Sequence, residues 1–230
     1  MTGMLRCLPV AIALLAGACA SGPRPVVMTC RPLGDVHVEG APLSAEVELR
    51  NESSEQVTVL GMNVPWVYRH AARFEADPDL HDPRVVADPG AHEDLALAPG
   101  ASDRGDLDLT HRLVDSEGRS ITTMPGSHRV RGHAQLTLDP GAPTQRDVEA
   151  SCAFDVTIEP RESERGRAYA AASAAASAAG YDLARYRAVR SERAERGWSF
   201  DFVHVYPAPP GGHFTVRVAP DGTADVRHGE

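Results

Sequence analysis

The chain has 230 residues and a formal net charge of −9 at pH 7, which disfavours a nucleic-acid partner because binding to phosphates requires a basic surface. It contains no lysine, so all 23 basic residues are arginine. The absence of lysine excludes a P-loop, a Schiff-base lysine and a Ser-x-x-Lys nucleophile from this chain.

Residues 1–18 are predicted to be an export signal. One positive charge, Arg6, precedes an apolar stretch from Leu8 to Ala18 that is too short to span a bilayer as a helix. Ala16-Gly17-Ala18-Cys19 then resembles the lipobox of bacterial lipoproteins, in which the cysteine becomes the lipidated first residue of the mature protein. Ordinary cleavage after Ala18 or Ala20 is the alternative.

The number of cysteines disfavours cleavage after Ala18 without lipidation, and the lipobox-like signature favours lipidation of Cys19. Cleavage after Ala18 without lipidation leaves three thiols in an oxidising compartment, whereas lipidation, or removal of Cys19, leaves one pair. Residues 19–29 are then a tether, of which Ala20 to Pro25 are small, polar and proline-containing. We therefore expect a protein of the cell envelope, held on the periplasmic or extracellular side of a membrane by the lipid on Cys19.

Residues 30–159 have the pattern of an antiparallel β-sandwich. Pro42 to Arg50 alternates apolar and polar residues, residues 51–55 form a turn, and Gln56 to Gly61 returns as a strand. Further strands are predicted at Asp94–Leu97, Ser102–Leu109, Arg129–Leu138 and Ser151–Ile158. Strands at this spacing, without a helical period among them, are typical of a sandwich.

Cys30 opens the first strand region and Cys152 lies in the last one. A disulfide between them is expected in an exported protein, and it would tie the two ends of the sandwich together. Two unpaired buried thiols are the alternative. A redox-active pair is disfavoured because there is no Cys-x-x-Cys motif.

The sandwich region also resembles known Ig-like domains. The resemblance rests on Pro42–Asn51 followed by Val57–Trp66, on Leu97–Ser102 followed by Asp106–Thr110, and on Pro125–Val130. These segments are similar to the bacterial intracellular proteinase inhibitor family and to the N-terminal β-domain of deuterolysin-type metallopeptidases. The resemblance implies an Ig-like sandwich. No His-Glu-x-x-His motif follows, so a peptidase of that type is not expected.

Residues 160–230 are predicted to form a small α+β module. Arg165 to Ala179 is rich in alanine and lacks β-branched residues, which favours a helix that ends at Gly180. Strands are predicted at Tyr186–Ser191, Trp198–Tyr206, His213–Ala219 and Thr223–Arg227. The alanine-rich helix, Gly180–Leu183, Trp198-x-Phe200, Gly211–Val218 and Asp221-Gly222 resemble PepSY-like or cystatin-like envelope domains, which are mostly accessory, inhibitory or binding modules.

The densest group of possible metal ligands lies between residues 75 and 94. It comprises Glu75, Asp77, Asp79, His81 and Asp82, followed by His92, Glu93 and Asp94. The segment Glu75–Pro83 lacks the glycine and ligand spacing of a known calcium loop, so we predict an exposed acidic loop, with a calcium site as the alternative. No zinc motif occurs among the ten histidines. We expect neither a metal nor another cofactor.

Trp66 and Tyr68 are the candidate contact residues for a protein partner, because exposed aromatic residues are favoured at interfaces. Packing of Trp66 into the sandwich core is the alternative. We expect a non-enzymatic binding or accessory protein of the envelope. A protease inhibitor, suggested by the family resemblance, and a hydrolase with a scattered Ser-His-Asp triad remain alternatives, although no Gly-x-Ser-x-Gly motif occurs.

Overall fold

The computed structural model describes residues 25–62, 72–77, 79–81, 92–205 and 212–229. Within these ranges the chain forms a β-sandwich followed by an α+β module, and paired strands run antiparallel. The predicted class, mainly β with a small α+β part, is confirmed. No helix of the described ranges is both long and apolar enough to cross a membrane.

In the described ranges, nine strands build the sandwich. They are β1 (Val26–Pro32), β2 (Ser44–Asn51), β3 (Val57–Met62), β4 (Arg73–Ala76), β5 (Leu80–His81), β6 (His92–Leu97), β7 (Ser102–Asp108), β8 (Gly126–Leu138) and β9 (Arg146–Ile158). One sheet has the order β1-β2-β7. The other has the order β5-β4-β8-β3-β6, with β9 paired along the whole length of β8.

The two sheets enclose one apolar core. In β2 the predicted alternation holds, because Ala45, Val47 and Leu49 are all 0% exposed while the polar side chains between them face outward. The facing sheet contributes Val59, Phe74, Leu136 and other apolar side chains to the same core. The alternation of apolar and polar residues along each strand therefore determines which face of the sheet is buried, and with it the register in which neighbouring strands pair.

The α+β module is one helix on a four-stranded sheet. The strands β10 (Tyr186–Ala194), β11 (Gly197–His204), β12 (His213–Val218) and β13 (Ala224–His228) pair in sequence order. The helix α1 (Glu164–Ala178) packs over β11, β12 and β13. Phe200, Phe202 and Phe214 fill the space beneath it and are at most 1% exposed.

Both ends of α1 are determined by local sequence. At the start, Ser163 Oγ accepts a hydrogen bond of 2.9 Å from the Gly166 amide. At the end, Gly180 adopts a φ of +92°, and the Tyr181 amide donates to the Ala176 carbonyl at 3.1 Å. This is a Schellman motif, which places glycine where the left-handed conformation is needed. The predicted stop at Gly180 is confirmed.

The β1–β2 connection, residues 33–43, belongs to the sandwich in sequence but packs into the α+β module. Three of its apolar side chains are at most 3% exposed in the second core: Val36, Val38 and Ala41. Gly34 has a φ of +74°, and a Cβ there would lie 2.5 Å from the Val189 carbonyl oxygen of β10. Glycine is therefore required where this connection meets the second sheet.

Two segments differ from the sequence predictions. The described part of Glu75–Pro83, predicted to be an exposed loop, includes a short hairpin in which Glu75 of β4 pairs with His81 of β5. The strand is only four residues long, with Phe74 and Ala76 buried, which is too short for its alternation to be recognised. In addition, β1 begins at Val26, inside the range assigned to the tether.

Candidate functional site

Cys30 and Cys152 form the predicted disulfide, with their Cα atoms 5.7 Å apart. Cys30 lies in β1 and Cys152 in β9, so the bond joins the two sheets. Gly132 faces Cys152 across the β8–β9 ladder, and a Cβ there would lie 3.0 Å from Cys152 Sγ and 2.7 Å from a ring carbon of Phe74. The glycine therefore leaves the space that the disulfide occupies.

The acidic segment is engaged in ion pairs with β8. Arg131 reaches Asp77 at 2.8 Å and Glu75 at 3.8 Å. The hydrogen bond from Arg131 holds the pKa of Asp77 below its ordinary value. Within the described ranges, no group of three or more His, Cys, Asp or Glu side chains is placed to hold a metal ion. Asp82 and the side chains of His81, His92 and Glu93 lie outside the described part.

Cys19, Trp66 and Tyr68 lie outside the described residues. The lipidation site and the aromatic contact site therefore stay predictions. Among the described residues, the groove that best suits binding lies where α1 meets the β1–β2 connection, and the sequence predicted no site there.

A groove of about 510 Å³ lies between α1 and the β1–β2 connection. One wall is the helix, with Ala170, Ser173, Ala174 and Ser177. The other wall is formed by Glu39, Gly40 and Pro42. The floor carries Tyr169, Tyr186 and Phe202, with Leu183 and Arg161 also in the lining. We call this the inter-module groove, because its two walls belong to the two halves of the chain.

The floor of the inter-module groove is aromatic and tightly packed. The ring of Tyr169 stacks on Phe202 with centroids 6.2 Å apart and meets Phe200 edge-on at 5.7 Å. Tyr186 packs edge-on against Phe214 at 5.0 Å. Burial raises the pKa of Tyr169, so its phenol stays neutral. Such packing gives a rigid apolar floor with polar hydroxyl groups attached.

The helix wall adds a buried hydroxyl to this floor. Ser173 Oγ is buried and forms no hydrogen bond with a described residue. It lies beside the Tyr169 phenol and partly opposes the rise in the pKa of Tyr169.

Ion pairs and hydrogen bonds fix the two walls relative to each other. Arg165 of α1 donates to the Asp35 carbonyl and reaches Glu159 at 3.0 Å. The carboxylate of Asp35 accepts a hydrogen bond of 2.7 Å from the Ser191 amide in β10. At the rim of the groove, the Arg161 amide donates to Glu39 at 3.1 Å. The groove is therefore preformed rather than assembled on binding.

His37 lies beside this network, close to the charges of Arg165, Asp35 and Glu159. Burial lowers its pKa below the ordinary value of 6.5, and the charge of Arg165 acts in the same direction. The unfolded chain therefore takes up this proton near pH 6.5, whereas the folded chain takes it up only at lower pH. His37 therefore destabilises the folded state as the pH falls through and below this value, and has no such effect at higher pH.

We expect the free energy of unfolding to decrease as the pH is lowered from about 7.5 to about 5.5. Denaturant titrations at several pH values measure this slope, and the variant His37→Gln should flatten it. Asp77 and Asp115 do not interfere, because their lowered pKa values place their titration at more acidic pH. An equal slope in the wild type and the variant would show that His37 is not its source.

A second, smaller pocket of about 280 Å³ lies on the other side of α1. It is lined by Trp198, which packs against the second core but remains partly exposed. Glu164 accepts a hydrogen bond of 3.4 Å from the Trp198 indole and pairs with Arg193 at 3.1 Å. Because this pocket has only about half the volume of the inter-module groove, the groove is the stronger candidate.

The β1–β2 connection is the part of the site that sequence reasoning missed. Its alternation of Val36 and Val38 and its glycines Gly34 and Gly40 were a readable signal for a structured, half-buried segment. Nothing local, however, indicates that these valines enter the second core rather than the first.

Comparisons with known proteins give no family. No family model and no curated protein matches the sequence. Among solved structures, the sporulation control protein Spo0M from Bacillus subtilis is 8% identical, with a TM-score of 0.32, over 85% of this chain and 74% of that one. The bacterial hydrophobin BslA is 11% identical, with a TM-score of 0.27, over 62% of this chain and 100% of that one. Similarities at this level assign neither a fold family nor a function.

Proposed function

We propose that this chain is an exported bacterial envelope lipoprotein, anchored through Cys19, that acts as a non-catalytic binding or accessory module for a protein partner. The leader with its lipobox-like end supports export. The disulfide between Cys30 and Cys152 supports an oxidising compartment.

The observation that carries the binding role is the inter-module groove. Its volume of about 510 Å³ is in the range of ligand sites, and its mainly apolar lining with a few polar groups has the composition of such sites. The floor of Tyr169, Tyr186 and Phe202 accommodates an apolar side chain of the partner. The Glu39 carboxylate, which lines the groove, offers an acceptor for polar atoms of the partner's backbone.

The proposal predicts a covalent adduct from inside the groove. A photo-reactive phenylalanine analogue at Ala174, an exposed position on the helix wall, should crosslink to one protein in the native cells. The matched control places the same analogue at Ala142, an exposed alanine in the β8–β9 turn, and should give no adduct. Mass spectrometry of the adduct identifies the partner.

A second variant shows whether the adduct depends on the groove itself. Ser173→Phe fills the space above Tyr169, and it should reduce the Ala174 adduct about tenfold or more if a partner side chain must enter there. The thermal unfolding of this variant controls for its fold. Equal adducts from Ala174 and Ala142, or an adduct that persists with Ser173→Phe, would contradict binding in the groove.

A further inference from the structure

The N-terminus of the described chain lies at one end of the sandwich, together with two turns. The Glu52 amide donates to the Pro25 carbonyl at 2.9 Å, which places the β2–β3 turn beside the start of β1. The Asp139 amide donates to the Thr58 carbonyl at 2.7 Å, which places the β8–β9 turn beside the start of β3. Pro25 and both turns line one pocket, so they form a common surface that we call the Pro25 end.

The α+β module is attached at the opposite end of the sandwich. β1 runs from Val26, paired with Asn51 near the Pro25 end, to Pro32, which leads into the β1–β2 connection. β9 likewise runs from the β8–β9 turn to Ile158, which leads into the linker before α1. Thirteen residues of β9 span about 40 Å at roughly 3.3 Å per residue.

The chain between the proposed anchor and the Pro25 end is short. Five residues, 20–24, separate Cys19 from Pro25. Even fully extended, this tether reaches about 20 Å. An anchor at Cys19 therefore keeps the Pro25 end near the membrane, and the tether is shorter than the sandwich is long.

Charge opposes the sandwich lying flat on a membrane. Residues 30–159 contain 23 of the 32 acidic residues and 11 of the 23 basic ones, whereas residues 160–230 contain nine acidic and ten basic residues. A surface with anionic lipids repels this acidic part within about a Debye length, roughly 10 Å. An upright orientation leaves most of these charges outside that distance.

We propose that the sandwich is a spacer, with the Pro25 end facing the anchoring membrane and the inter-module groove held about 40 Å above it. This inference rests on the proposed lipid anchor at Cys19. It also specifies which kind of partner can reach the inter-module groove. At this height the groove faces the aqueous phase, so the part of the partner that binds it is a water-soluble protein or domain and not a membrane-embedded segment.

Energy transfer from tryptophan to a labelled lipid headgroup tests this orientation. The chain has two tryptophans, so Trp66→Phe leaves Trp198 of the α+β module as the single donor. Adding Thr144→Trp to that variant places a second donor at an exposed position in the β8–β9 turn. The full-length lipidated proteins are reconstituted in vesicles of phosphatidylethanolamine and phosphatidylglycerol with a headgroup-labelled acceptor.

We expect no resolvable loss of Trp198 emission and a clear additional loss when the donor at position 144 is present. Equal loss from both donors, or greater loss from Trp198, would overturn the upright orientation while leaving the anchor intact. Flotation with the vesicles tests the anchor separately, with Cys19→Ser as the control that should not float. If the wild type also fails to float, the anchor is wrong and the orientation falls with it.

Discussion

Replacing both Cys30 and Cys152 by serine should lower the free energy of unfolding by about 3 to 5 kcal/mol. The two cysteines are 122 residues apart, so the disulfide removes much of the conformational freedom of the unfolded sandwich. It also joins the two sheets, and its loss removes a covalent link between β1 and β9. Guanidinium titrations of the double variant and the wild type measure the difference.

Reduction of the wild type gives an independent comparison. The reduced protein should have nearly the stability of the double serine variant, since both lack the same link. Cys19→Ser is the matched control, because it changes a cysteine outside this pair and should leave the unfolding midpoint unchanged. A loss below about 1 kcal/mol in the double variant would mean that the sheets are held together without the bond.

Val38→Asp should disrupt the α+β module more than the sandwich to which Val38 belongs in sequence. Val38 is 1% exposed and packs into the second core, where an aspartate would be buried without a partner. A loss of about 4 kcal/mol is expected, since burial of an unpaired charge is among the most destabilising changes. Trp198 emission, measured in the Trp66→Phe variant, and limited proteolysis of the linker before α1 report the effect on the second module.

The matched control for this substitution is Val27→Asp. Val27 lies on β1, is only half-buried, and pairs across the sheet with Arg50, which offers the new carboxylate a partner. This variant should have the same Trp198 emission as the parent protein, and its linker before α1 should be equally resistant to proteolysis. If Val38→Asp leaves the α+β module intact, the β1–β2 connection is not part of its core.

The sequence was most informative where one face of an element is buried. The alternation from Pro42 to Arg50 gave the second strand, and the alanine-rich stretch up to Gly180 gave the helix and its end. In the described ranges, β4 was missed because four residues carry too little alternation. The Cys30–Cys152 bond could be inferred because these are the two cysteines that follow Cys19 in the sequence, so one pairing is possible between them.

The candidate site could not be inferred in the same way. Its walls come from residues 39–42 and 169–177, which are far apart in sequence and carry no shared motif. Their meeting depends on the close approach at Gly34 and on the pairing of Asp35 with Ser191 and Arg165. These contacts are decided by how two modules pack, which a local pattern does not encode.

The shared connection has a consequence for the order of assembly. A chain that emerges from its amino end presents Val36 and Val38 well before α1 and β11 exist to cover them. All the strands of the sandwich precede α1 in the chain, so the sandwich can be completed while these two valines are still exposed to water and to other chains. Folding of the second module is therefore what removes this apolar segment from contact with water and with other chains.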